Sequence, residues 1–408
     1  MNTILKNFSR AALALSLAAA FGQAGAGVYP QCPADGDAAG TNGKVCRHLA
    51  GGDGWMSYGD GSRGYFFGFS EVTGVPDNEV MTRSTFNAKF AAPTLAFKQG
   101  QEVYLSLTNV GMAHRPDLFD PHSVHFHGFP QAAPIFDGTP EGSITVNMGS
   151  TITYYYNIKD PGTYMYHCHV ESTEHMQMGM LGNLYVTPAQ DGTQYTGVPI
   201  DRPDAAPATR SFNKFVYNDG NGATGYDVQA ALQLGSFDAN FHIQSEVVQP
   251  LPFDTLRTTH GFINGRNYPD TVDARTTDFL RTPVDPADLS TTLPETSQPI
   301  HALVTANVGE RILLRMSNLS VTDYFTVTAM GLPFKVVGAG AAIARGPSGI
   351  DHSFRTSSVT LGGGEAVDVL VDTAGVAPGT YVLYTTNLNF LSNGAEDQGG
   401  IMTHIVIN

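Results

Sequence analysis

Apolar and polar positions alternate along most of this chain in short runs, the period-two pattern of strands that bury one face. EVYLSLTNV (102–110), SITVNM (143–148), TITYYYNI (151–158), GNLYVT (182–187), RILLRMSNL (311–319), FTVTAM (325–330), AVDVLVDT (366–373) and TYVLYTTNL (380–388) are such runs. β-branched and aromatic residues fill them and turn formers bound them. Two stretches repeat: QGQEVYLSLTNV (99–110) followed by KDPGTYMYHC (159–168), and VGERILLRMSNL (308–319) followed by APGTYVLYTT (377–386). The repeat predicts an all-β protein of two tandem Greek-key β-sandwich domains. The first sandwich is expected over 65–188, preceded by an extension at 27–64. The polar, proline-rich stretch 189–210 reads as a linker, and 211–408 as the second sandwich with a surface insertion at 270–300. Short helices are predicted only around 226–234 and at 171–177.

Composition adds a compartment. Lys6 and Arg10, the apolar run 11–21 and small residues around Ala24 and Ala26 predict a signal peptide over 1–26, too short for a membrane span. The protein is therefore expected to be secreted or periplasmic, and no other segment is apolar enough to cross a bilayer. Lys+Arg 22 against Asp+Glu 37 gives a net charge of −15, which argues against nucleic acid as a partner. That charge suits a basic redox partner or a cationic substrate, although solubility alone accounts for it. Of three cysteines, Cys32 and Cys46 are close enough in sequence for a disulfide in an exported chain. The alternatives are two free thiols, or a metal site with His48. Cys168 is left over.

Cys168 lies in HCHVESTEHMQMGM (167–180), which sets one thiol among three histidines and several thioethers. Sulfur and imidazole together suit copper, and a His₂Cys set with a distant methionine marks electron-transfer copper sites. HSVHFHG (122–128) supplies further imidazoles. Strand parity sorts them. His122 would join Cys168, His175 and Met180 at a mononuclear site. His125, His127, His167 and His169 would share the opposite face. Solitary core histidines are the bland alternative, which two HxH pairs around a cysteine disfavour.

These two motifs resemble those of the multicopper oxidases, particularly the shorter two-domain, laccase-like forms. The resemblance extends to FNAKFAAPTLAFKQGQEVYLSLTN (86–109), FDGTPEG (136–142) and, more weakly, FINGRNYPDT (262–271). It implies cupredoxin-like domains, one type 1 copper at His122, Cys168, His175 and Met180, and further copper at the four-histidine face. It also implies one-electron oxidation of a donor, which would be a small molecule, a metal ion or a redox protein, coupled to dioxygen reduction. An acidic residue near Asp137 would help move protons, although a turn-forming Asp-Gly explains it equally. Two departures stand out. The loop from Cys168 to His175 is two residues longer than the family's, and no HxH pair occurs after His169. His242, His260, His301, His352 and His404 are solitary, so half of the usual three-copper ligand set is missing. Pooling of histidines in a homo-oligomer such as a trimer, fewer coppers at the face, or an electron-transfer or copper-storage protein without turnover are the resolutions. Nitrite reduction is disfavoured, since Thr386 stands near the place of the second-domain histidine it needs.

Overall fold

The computed structural model describes residues 30–200, 208–275, 281–283 and 292–408. The expected signal peptide lies outside the described residues. Eight strands build the first sandwich: β1 (Lys44–Ser57), β2 (Arg63–Glu71), β3 (Ala92–Lys98), β4 (Glu102–Gly111), β5 (His125–His127), β6 (Thr151–Asn157), β7 (Gly162–His167) and β8 (Leu181–Thr187). One sheet runs β2-β1-β4-β6 and the other β3-β8-β7-β5. In β4 the alternation predicted from sequence is realised: Val103, Leu105 and Leu107 are buried while Glu102, Tyr104 and Ser106 are part exposed. These side chains meet Phe126, Tyr156, Tyr166 and Val186 between the sheets. Phe126 stacks on Tyr156 at 4.0 Å between ring centroids. Burying each such aromatic contributes about 1.5–3 kcal/mol relative to exposure.

The second sandwich repeats the plan. As β4 is flanked by β1 in parallel and β6 antiparallel, Arg311–Asn318 is flanked by Val228–Phe237 in parallel and Glu365–Asp372 antiparallel. As β7 lies between β5 and β8, Gly379–Thr385 lies between Phe325–Ala329 and Met402–Ile407.

The two sandwiches meet along β7. All six of its residues are buried, because its outward face is covered by the second sandwich. Thr163 Oγ1 donates to Asp368 Oδ1 at 2.5 Å, and the Tyr217 hydroxyl donates to Asp368 Oδ2 at 2.6 Å. Arg315, wholly buried, pairs with Asp368 at 3.5 Å and donates to Thr163 Oγ1 at 3.2 Å. Gly162, at φ 142°, lies so close to Ala341 that a Cβ would stand 2.7 Å from its Cα.

Three sequence expectations need correction. The segment 226–234 is not helical. Ala, Leu and Gln favour a helix there, but Val228–Phe237 is an interior strand paired on both sides, so tertiary pairing overrides propensity. The expected extension at 27–64 is not an appendage from Lys44 onward, since β1 pairs with β2 and β4 inside the first sandwich. The linker stretch also carries structure, as Tyr195–Pro199 pairs with Thr209–Phe212. A helix not expected from the sequence, α1 (Asp77–Ser84), carries Asp77 and Glu79 in its first turn and an Arg83–Glu79 ion pair at 2.7 Å. Cys32 and Cys46 form a disulfide with Cα atoms 5.8 Å apart. His48 is engaged instead with Thr108 Oγ1 at 2.7 Å.

Candidate metal centre

The chain leaves β7 at His167, turns at Glu171 (φ 43°), and forms α2 (Ser172–Gln177) before entering β8. That short helix carries His175 back over Cys168. The Cys168 Sγ lies 3.2 Å from His175 Nδ1 and 4.0 Å from His122 Nδ1. All three residues are buried. The loop is closed by its own backbone: Cys168 N–H donates to the Met180 carbonyl at 3.0 Å, and Met180 N–H to the His175 carbonyl at 2.8 Å. Met180 is buried beside His122, and both lie against Gly51. A Cβ there would stand 3.0 Å from the His122 ring and 3.3 Å from the Met180 methyl. Met178 fills the core around the site, as a flexible thioether can, whereas Met176 packs in a separate apolar cluster.

Burial pushes the Cys168 thiol up to about 11 and pulls His175 down to about 4 and His122 well below its usual range. The pocket therefore holds a neutral thiol and neutral imidazoles at pH 7. His122 Nε2 is buried without a partner. A soft cation would displace the thiol proton and repay the cost of burying these groups, so the donor set fits copper. Ser123 N–H points at the sulfur at 3.5 Å, a contact that favours the thiolate.

Strand parity holds on the opposite face. His125 pairs directly with His167 across β5 and β7, and His127 pairs with Met165. The ring centroids of His125 lie 5.8, 5.3 and 5.2 Å from those of His127, His167 and His169. His127 Nδ1 stands 3.2 Å from His167 Nε2. Desolvation lowers the pKa of His125 and His127, and takes His167 down to about 3. These rings are neutral and able to accept a metal. The Asp137 carbonyl faces His125 Nδ1 at 2.5 Å, and its carboxylate lies 3.6 Å from the same nitrogen. Asp137 thus orients the ring through its backbone, which Gly138 permits: at φ +83° it packs against the Val124 carbonyl, where a Cβ has no room.

In the second sandwich the corresponding positions are stripped. Where His125 faces His167, Thr328 faces Tyr384. The later histidines lie elsewhere: His260 beside Asp60, His352 beside Gly346, and His404 beside Tyr268.

No sequence signal marks the strap that the second sandwich lays over the loop bearing Cys168 and His175. Residues 238–257 leave and rejoin the fold at one point, because Asp238 caps α3 (Ala239–Ser245) and also accepts from Arg257 N–H at 2.7 Å. Phe241, Leu251 and Leu256 enter the same apolar cluster as Cys168 and Met180. Gln249 donates to Glu174 at 3.1 Å, and Arg115 donates to the Ser245 carbonyl. The two nitrogens of His242 face the Tyr65 and Gln177 carbonyls at 2.6 and 2.9 Å. A neutral ring donates to only one of them, yet burial dominates and takes its pKa down to about 4. A pKa depressed on folding means that the unfolded chain binds the proton first. Stability from this neutral ring is complete above about pH 6.5 and is lost as pH falls toward about 4. Urea midpoints measured from pH 7 to 4 are expected to fall, and to fall less steeply in His242→Leu. An unchanged slope would show that the ring is not titrating there.

Residues 70–191 match a family model described as multicopper oxidase, and residues 245–406 match a second model with the same description. Multicopper oxidase MmcO of Mycobacterium tuberculosis is 32% identical over 91 residues, covering 22% of this chain and 16% of that protein. L-ascorbate oxidase of Cucurbita pepo var. melopepo is 33% identical over 106 residues, covering 26% of this chain and 18% of that protein. The matches thus span less than a fifth of these relatives. Among solved structures, a blue copper oxidase from Nitrosomonas europaea superposes with a TM-score of 0.62 at 19% identity, covering 89% of this chain and 86% of that one. A copper nitrite reductase from the same organism gives 0.55 at 15% identity, covering 90% and 94%. These likenesses establish two tandem cupredoxin-like domains.

Proposed function

Since the chain belongs to the multicopper oxidase family, we propose that it is an exported copper-dependent oxidoreductase that oxidises a donor by single electrons and reduces dioxygen. Bound to the two side-chain sets, copper supplies the one-electron redox chemistry and the place where dioxygen is reduced. His122, Cys168, His175 and Met180 would hold a type 1 copper. His125, His127, His167 and His169 would hold the remainder.

The observation that carries this reading is the end of β7. His167 and Cys168 are consecutive and face opposite sides of one sheet, so a single peptide unit links the sulfur-bearing pocket to the imidazole face. The His167 Nδ1 faces the Cys168 carbonyl at 2.7 Å, which fixes the ring on that link. Reduction of dioxygen to water consumes protons, and the part-exposed Asp137 carboxylate lies beside His125 to relay them from solvent. On the other side, a cleft of about 480 Å³ is bordered by Glu171, Glu174 and Phe253, where the strap meets the loop that carries His175. A phenol, a metal ion or the edge of a redox protein would approach there. The missing second-domain histidines favour one alternative, an electron carrier without turnover.

The copper-loaded protein is expected to consume dioxygen steadily with a phenolic or cuprous donor. His167→Ala should keep its blue absorbance and lose most of that turnover. Retained turnover in this variant would remove the imidazole face from the mechanism and leave the carrier reading.

A further inference from the structure

A three-copper cluster needs four imidazoles beyond those at 125, 127, 167 and 169, and among the described residues the second sandwich does not bring them. What it brings to this face is a glycine turn at 362–364. Gly364, at φ +86°, lies so close that a Cβ would stand 2.7 Å from His127 Nε2. The family's shared cluster therefore does not fit this face.

The nitrogens that remain converge on one another. His125 Nδ1 faces the Asp137 carbonyl at 2.5 Å, and His167 Nδ1 faces the Cys168 carbonyl at 2.7 Å. A carbonyl only accepts, so each Nδ1 carries the proton and each Nε2 keeps its lone pair. His127 turns its Nδ1 toward His167 Nε2 at 3.2 Å, a contact that needs either a proton or a cation between the two nitrogens. One ligand atom from each of His125, His127 and His167 lies within 4.8 Å of the other two. Both committed Nδ1 atoms thus have the outer partner that metal-bound histidines require.

Resting on the copper reading above, we propose that His125, His127 and His167 form a complete site for a single copper ion, closed within one chain rather than shared between subunits. Three neutral imidazoles leave the ion's charge uncompensated and one position open. That position takes a small anion such as azide or hydroxide, or dioxygen, and His169 borders it with its ring 5.2 Å from His125 and 5.6 Å from His167.

The test is copper counting on the loaded full-length chain, in fractions whose mass is measured by light scattering, with electron paramagnetic resonance spectra and an azide titration. Two coppers per chain are expected in monomer-sized fractions, one blue and one with an ordinary signal that azide shifts. His127→Ala and the milder His127→Gln should each lose the second ion and its azide response while keeping the blue band, which also reports that the chain has folded. Four coppers per chain, a second ion found only in oligomers, or a second ion retained in both variants would overturn the proposal. Two coppers without dioxygen uptake would support the site and remove the oxidase. No copper at either set would remove both.

Discussion

Replacing Cys168 with serine is expected to abolish the blue absorbance and to lower donor-driven dioxygen consumption by more than about a hundredfold. Changing groups that merely support a metal ligand costs about 10–100-fold, and Cys168 would be a direct ligand with the sulfur between His122 and His175. A serine hydroxyl is a poor substitute. It is a harder donor, and burial that already pushes the thiol up to about 11 keeps an alcohol protonated. Serine is close to cysteine in size, so the buried packing around Met180 and Val170 should survive. The thermal midpoint of the metal-free variant is expected to stay near that of the metal-free parent, which separates a lost ligand from a lost fold. A variant that kept both colour and turnover would show that the sulfur is not in the redox path.

Removing the Asp368 carboxylate is expected to destabilise the protein by about 3–5 kcal/mol, the cost of leaving a buried charge without its partner. Asp368 accepts from Thr163 of the first sandwich and, within the second, accepts from Tyr217 and pairs with Arg315 on the neighbouring strand, all out of contact with water. Arg315 Nη2 has no hydrogen-bond partner even in the intact protein. Asp368→Ala would thus leave one cation and two hydroxyl donors unanswered. Urea unfolding at constant slope reads the loss. The double variant Asp368→Leu, Arg315→Leu should recover part of it, because apolar residues of similar size often replace a buried pair at little cost. Equal midpoints for the parent and Asp368→Ala would mean that this network does not hold the sandwiches together.

Much of this was legible in the chain because strand parity is a strict rule. Once 122–128 and 162–169 are neighbouring strand segments, the side on which each histidine lies follows from odd and even positions. The duplication was legible for a similar reason, since RILLRMSNL has the same alternation as EVYLSLTNV and occupies the same central place in its sheet. What was not legible depends on contacts far apart in sequence. Val228–Phe237 has helical composition and becomes a strand only because Arg311–Asn318 and His260–Ile263 are there to pair with it. Gly51 and Gly364 sit against His122 and His127, yet nothing in their own neighbourhoods distinguishes them from other glycines. The strap at 238–257 carries no cysteine or methionine and a single histidine, His242, whose ring nitrogens face two carbonyls.

That strap has a consequence for biosynthesis. The segment bearing Cys168, His175 and Met180 precedes residues 238–257 in the chain, so in an exported protein it crosses the membrane first, and it is sealed only when they arrive and dock. On the copper reading, ion delivery to the sulfur is easiest in the interval between those two events. A chain that finishes folding empty must reopen the seal, so metal uptake by mature apoprotein becomes limited by the rate of that opening rather than by affinity.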